Sequence, residues 1–142
     1  MILLDATVLV YALGAGHPFR DPCRQLIQAV ADGTIEATTT VEVVQEFVHV
    51  RARRRGRIDG SRRGRDYADL LAPLLTVSAA ELRDGLALYE KNDALGVSDA
   101  VLAATAMAVG GTLVSADTAF AAVPGLDHVV PDAAAMAALL PA

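Results

Sequence analysis

Met1-Ile2-Leu3-Leu4-Asp5-Ala6-Thr7-Val8-Leu9-Val10-Tyr11 is the stretch that decides the fold. Ile2 to Asp5 reads as a short buried strand. Thr7 to Leu13 then reads as a short helix that stops at Gly14 and Gly16. A carboxylate stands at the junction. Asp5 ends the strand directly, and a charge pressed against a core is costly unless it is paired, hydrogen-bonded or holding a metal.

Three more acids sit at comparable edges. Glu46 lies within Val41-Glu42-Val43-Val44-Gln45-Glu46-Phe47-Val48, Asp99 opens Asp99-Ala100-Val101-Leu102-Ala103-Ala104, and Asp117 follows Thr112-Leu113-Val114-Ser115. Each has an ordinary reading when taken singly. The helix dipole alone favours Asp99 in a first turn, and Asp117 suits a turn. Glu42 is four residues from Glu46 and shares its face, but is expected to face solvent. Asp5 is the hardest to explain as decoration. Brought together, four carboxylates make a cluster whose repulsion a bound cation relieves.

The rest of the chain alternates strand and helix signals. Pro22 suits the first turn of a helix running to about Ala31 and closed by Gly33. Ile35 to Thr38 reads as a strand, and Thr39 with Thr40 supplies the N-cap of a long helix, Val41 to about Arg55. Gly56, Gly60 and Gly64 read as a loose basic connector before a helix from Arg65 to Leu71. Val77 is expected to begin a strand. Ser78 and Glu81 fit a capping box for a helix from Ala79 to about Lys91, and Ser98 is expected to cap a helix from Asp99 to Val109. Thr112 to Ser115 and Val129-Val130 read as strands, with a short apolar helix from Ala133 to Leu140. This order predicts one α/β domain over residues 1–142, with a central, mainly parallel sheet flanked by helices. Ligands bind such sheets at the carboxyl ends of the strands, where Asp5 and Asp117 would share a rim.

A chain of 142 residues can bury roughly 68–70% of its unfolded surface and fold without staples. Cys23 is the only cysteine, which excludes an internal disulfide and fits a reducing compartment. Asp5 interrupts the first apolar run and no basic segment precedes it, so no signal peptide is expected. No uncharged apolar run is long enough for a membrane span, and a cytoplasmic, membrane-free protein is the expectation. Charge is unevenly placed. Residues 51–65 hold eight arginines against Asp59, a local +7 on a chain of net −5, which leaves −12 for the remainder. That asymmetry is either a solvated helix end or a patch for a polyanion. With three Phe, three Tyr and no Trp, a base-stacking platform is poorly supplied.

Taken in order, Met1 to Tyr11, Val43-Val44-Gln45-Glu46-Phe47, Asp99 to Ala104 and Leu113-Val114-Ser115-Ala116-Asp117-Thr118-Ala119-Phe120 resemble the successive motifs of PIN-domain ribonucleases, most closely the VapC-type toxins of toxin–antitoxin modules. The resemblance covers essentially the whole chain and rests on the ordered set of four motifs rather than on any one. It implies a metal-dependent endoribonuclease that hydrolyses RNA phosphodiester bonds at a four-carboxylate site. The catalytic and metal-ligating residues would be Asp5, Glu46, Asp99 and Asp117, with Mg²⁺ as the cofactor and Mn²⁺ as a substitute. Thr7 and Ser115 would take the supporting hydroxyl positions, and Arg51, Arg53, Arg54 and Arg55 would guide the RNA backbone. A cognate antitoxin is implied as partner, with a homodimer or a dimer of toxin–antitoxin pairs. The first motif departs from a common family pattern by having Ala6 before Thr7 and no Asn after it, and Asp93 stands near the third motif.

Competing functions are weaker. A phosphatase with a strand-end Asp nucleophile needs a second acid two residues on as general acid, and position 7 is Thr. A flap or repair nuclease needs a longer clamp. The alternative that keeps the fold is a non-catalytic PIN-like RNA-binding or scaffold protein. None of the three histidines lies in a motif, and Cys23 reads as packed rather than nucleophilic.

Overall fold

In the computed structural model, which describes residues 1–142, the strands are β1 (Ile2–Leu4), β2 (Ala37–Thr38), β3 (Thr112–Val114) and β4 (Asp127–Val129). The helices are α1 (Ala6–Leu13), α2 (Arg20–Ala31), α3 (Val41–Arg55), α4 (Arg57–Leu70), α5 (Ala79–Lys91), α6 (Val97–Ala108) and α7 (Ala133–Leu139). The four strands pair in the order β2-β1-β3-β4 and every pairing is parallel. Leu3 pairs with Thr38 on one side and Leu113 on the other. Leu3, Leu4, Leu113 and Val114 have no exposed surface, as expected of central strands covered on both faces.

Three consecutive buried threonines tie the sheet to α3. Thr38 Oγ1 donates to the Leu71 carbonyl at 3.0 Å. Thr39 Oγ1 donates to the carbonyl of Leu4, the residue before Asp5, at 2.6 Å. Thr40 caps α3 by accepting the Val43 N–H at 3.1 Å. The start of α3 is thereby hung beside the end of β1.

The basic connector expected between Gly56 and Gly64 is instead helical, and α4 begins at Arg57. Gly60 and Gly64 act here as contact points rather than breakers. A Cβ on Gly64 would collide with Val48 Cγ2, and one on Gly60 would lie 3.1 Å from the Ala52 nitrogen. Bare backbone at these two positions lets α4 lie directly on α3. Phe47 meets Tyr67 edge-on across this junction at 4.9 Å. The Tyr67 hydroxyl donates to the Leu9 carbonyl at 2.9 Å and so fastens α4 to α1.

Two smaller expectations also shift. The sixth helix starts at Val97, with Gly96 at its cap and the Ala100 N–H already bonded to the Gly96 carbonyl at 2.9 Å, so Ser98 lies inside the first turn and caps nothing. Val77 begins no strand, because strand-like pairing falls earlier, where the Leu75 N–H bonds the Thr39 carbonyl at 2.9 Å. The capping box of Ser78 and Glu81 forms as read. In α7, Met136 is buried in the core, and the helix packs on α2.

Candidate active site

Asp5 occupies the N-cap position of α1, yet its side chain makes no capping bond. A cap aspartate ordinarily accepts a backbone N–H two or three residues on. Here Oδ2 instead accepts the hydroxyls of Ser115 at 2.6 Å and Thr7 at 3.0 Å. Those hydroxyls are themselves held, since Thr7 Oγ1 accepts the Ala116 N–H at 3.0 Å and Ser115 Oγ accepts the Asp117 N–H at 3.1 Å. With Asp5 only 3% exposed, one carboxylate oxygen is locked and the other is free for its neighbours.

Those neighbours are Glu46 from α3 and Asp99 from the first turn of α6. One carboxylate oxygen from each of Asp5, Glu46 and Asp99 lies within 4.8 Å of the others. Burial, then the charges of Asp5, Glu46 and Asp117, push the Asp99 carboxyl up to about 7. Burial, then Asp5, also raises Glu46 above the usual carboxylate range. The N-terminal ends of α1 and α6 face the cluster and offset part of its repulsion. The donor set is oxygen only and strongly acidic, which fits a hard divalent cation.

The fourth acid takes a different posture. Asp117 is close enough for its charge to raise Asp99, but it stands outside the group of three. Its Oδ1 accepts the Ala119 N–H at 2.9 Å and caps the 3₁₀ turn Thr118–Ala122, which leaves its second oxygen. Asp93 is an exposed turn residue apart from the cluster, and Glu42 is exposed on α3. Of the arginines, Arg51 donates through Nε to Asp59 at 2.6 Å and braces α3 against α4. Arg53, Arg54 and Arg55 are exposed and make no ion pair.

Two cavities meet at Glu46. The larger, about 600 Å³, runs between α3, α5 and α6 past Val77, Leu82, Val97 and Asp99. The smaller, about 400 Å³, runs between α1 and α3 from Thr7 and Glu46 to Tyr11, His17 and Arg54. Reading by motif passed over Tyr11 and His17. Tyr11 lies one helical turn beyond Thr7 on the same face, and that spacing was the available signal. His49 is exposed, and a ring nitrogen of His128 lies 3.0 Å from the Ser115 carbonyl. Cys23 is wholly buried and its thiol is pushed up to about 12, so it is no nucleophile.

The raised Asp99 has a consequence for stability. Between its ordinary value of 3.8 and about 7, the unfolded chain releases a proton that the folded chain keeps. Folding stability from this group is therefore complete below pH 4 and is lost as pH rises through 7. Asp99→Asn is expected to out-melt the parent chain at pH 8 in EDTA by roughly 1–2 kcal/mol, a figure discounted for the partial exposure of the site. At pH 4 the two should melt alike. Thermal denaturation at both pH values checks this.

A three-carboxylate cluster at the carboxyl rim of a parallel α/β sheet is suited to holding a divalent metal, and the PIN domain family model matches residues 2–126. The chain belongs to the PIN-domain family. Ribonuclease VapC7 of Mycobacterium tuberculosis is 55% identical over 142 residues, covering 99% of this chain and 98% of that one. Within the family the chain is accordingly similar to the VapC-type ribonucleases. The fold alone is also matched by a toxin–antitoxin complex from Klebsiella pneumoniae, with a TM-score of 0.69 and 22% identity over 92% of this chain and 98% of that chain. FitAcB from Neisseria gonorrhoeae matches with a TM-score of 0.71 and 19% identity over 92% of this chain and 98% of that chain.

Proposed function

We propose that this VapC-type ribonuclease cuts RNA at the Asp5, Glu46 and Asp99 cluster, holding Mg²⁺, or Mn²⁺ in its place. The observation that carries the reading is the convergence of three carboxylates within 4.8 Å, one of them oriented by two hydroxyls. When bound, such a cation acidifies water and offsets the charge of the phosphate. The chain's own residues set the geometry. Thr7 and Ser115 hold one oxygen of Asp5, so its other oxygen keeps one direction. Asp117 completes the four-carboxylate site through the oxygen its capping bond leaves free. Arg53, Arg54 and Arg55 receive the RNA backbone, while Arg51 contributes mainly by bracing α3.

The whole span 1–142 is read as one PIN domain, since α7 buries Met136 in the common core. A cognate antitoxin is the proposed protein partner. The toxin–antitoxin complex among the structural neighbours supports this, as do the exposed apolar residues Leu82 and Val97 in the wall of the larger cavity. A homodimer, or a dimer of toxin–antitoxin pairs, is the proposed assembly. No helix is long and apolar enough to cross a membrane, and the proposed location is the cytoplasm.

The test is cleavage of total cellular RNA by antitoxin-free protein with Mg²⁺, Mn²⁺ or EDTA. Discrete fragments that appear only with metal are expected. Intact RNA beside well-folded, metal-loaded protein would favour the non-catalytic RNA-binding reading.

A further inference from the structure

The smaller cavity carries chemistry that the carboxylate cluster does not use. At one end are Thr7 and Glu46, and at the other are Tyr11, His17 and Arg54, with Val10 along the α1 side. Glu46 and Arg54 are eight residues apart on α3, or about 12 Å along its axis, on one face. Arg54 is exposed and enters no ion pair or side-chain hydrogen bond, unlike Arg51 on the same helix.

The aromatic end is the second observation. The Tyr11 and His17 rings stack with centroids 4.4 Å apart and planes 27° apart, and Phe19 meets Tyr11 edge-on at 5.7 Å. Phe47, Tyr67 and Phe120 are buried, so few aromatic rings remain for any surface, and two of them gather here. His17 is exposed and forms the outer member of the stack. Its Nδ1 accepts the Phe19 N–H at 3.1 Å, which fixes the ring and places the proton of the neutral imidazole on Nε2, a donor with no protein partner. A packing role accounts for Phe19, which is half-buried against the core. It does not account for an exposed, fixed ring laid flat on a tyrosine beside a free arginine.

We propose that the cleft between α1 and α3 is a subsite for an unstacked nucleobase of single-stranded RNA next to the scissile bond, a proposal that rests on the ribonuclease reading above. The Tyr11–His17 pair is its stacking platform, His17 Nε2 is the donor to the base edge, and Arg54 takes the neighbouring phosphate. A cavity of this size accommodates a ligand of nucleotide dimensions. Stacking tolerates any base, and the single donor then biases the choice among them.

The test uses the full, antitoxin-free chain and a short unstructured RNA carrying 2-aminopurine at each position in turn, with Ca²⁺ as the divalent ion for binding and Mg²⁺ for cleavage. The fluorophore should be quenched at one position near the cut. Tyr11→Leu and His17→Ala should each abolish that quench and raise KM about 5- to 150-fold, the range for loss of one base–aromatic stack, with kcat little changed. Tyr11→Phe should restore both. Variants that bind and cleave like the parent, or that lose only melting temperature, overturn the subsite. The two readings fail separately. Quenching lost in the variants without cleavage by the parent chain would sink the nuclease, whereas cleavage by the parent with unaltered quenching and KM would sink the subsite alone.

Discussion

Asp5→Asn is expected to lower kcat/KM for RNA cleavage about 10²- to 10³-fold or more, with the chain still folded. The amide is the same shape as the carboxylate and can still accept the Thr7 and Ser115 hydroxyls through its oxygen. That arrangement turns the NH₂ group toward Glu46 and Asp99, where a donor replaces a negatively charged oxygen. Loss of one preorganised group at a developing charge has costs of this order, and weakened metal binding adds to it. Folding should survive because a repulsive charge at a 3% exposed site has been removed while the hydrogen bonds remain. Single-turnover cleavage of end-labelled RNA, beside circular dichroism of the same samples, measures both quantities. Cleavage by the Asp5→Asn variant within tenfold of the parent would remove Asp5 from the chemistry.

The largest expected loss of stability comes from Gly85→Val in α5. A Cβ on Gly85 would stand 2.6 Å from the Val101 Cα and 3.0 Å from the Val101 nitrogen. Both atoms belong to the α6 backbone, so no rotamer change relieves the clash and the two helices must separate. Overpacking of this kind costs typically about 1–3 kcal/mol, and the branched side chain places this case at or above the upper figure. For a domain of this length that corresponds to a fall in Tm of roughly 6–12 °C. Asp99 lies two residues before Val101 on the same helix, so displacement of α6 should also weaken divalent-metal binding. Gly96→Ala is the contrasting control, because a Cβ there meets nothing within 4 Å. Melting curves with and without Mg²⁺ would separate the two effects; equal Tm values for the two variants would refute the close approach of α5 and α6.

Much of this architecture was legible because local and global demands agree. Ile2 to Asp5 and Thr112 to Ser115 read as short buried strands, and Ile2–Leu4 and Thr112–Val114 are adjacent parallel strands, each one residue shorter than read. Ser78 and Glu81 interact only with each other's backbone, so three residues of context suffice to see them. The rim rule paired Asp5 with Asp117, whereas the acids that lie closest to Asp5 are Glu46 and Asp99, which stand on α3 and α6 rather than at strand ends. Features that depend on a distant partner were hidden. Gly60 and Gly64 look like breakers until Val48 and Ala52 are seen against them. The bond from Asp117 to the Ala119 N–H is local, yet an aspartate two residues ahead of an N–H reads equally as cap or ligand. Tyr11 and His17 are separated by a turn rich in glycine, and nothing in periodicity says that the turn folds back to lay one ring on the other.

The hydroxyl clamp on Asp5 is also a clock. One of its two donors comes from position 7 and the other from position 115, and β1 waits for β3 across the same span of chain. A ribosome that has made the first hundred residues has made three of the acids and β2 on one side of β1, but neither β3 on its other side nor the Ser115 hydroxyl that turns Asp5. Contacts so far apart in sequence form late, and synthesis proceeds at about 5–20 residues per second. The carboxylate cluster is thus among the last parts to be assembled, and a prematurely terminated product carries three of its acids without the frame that orients them.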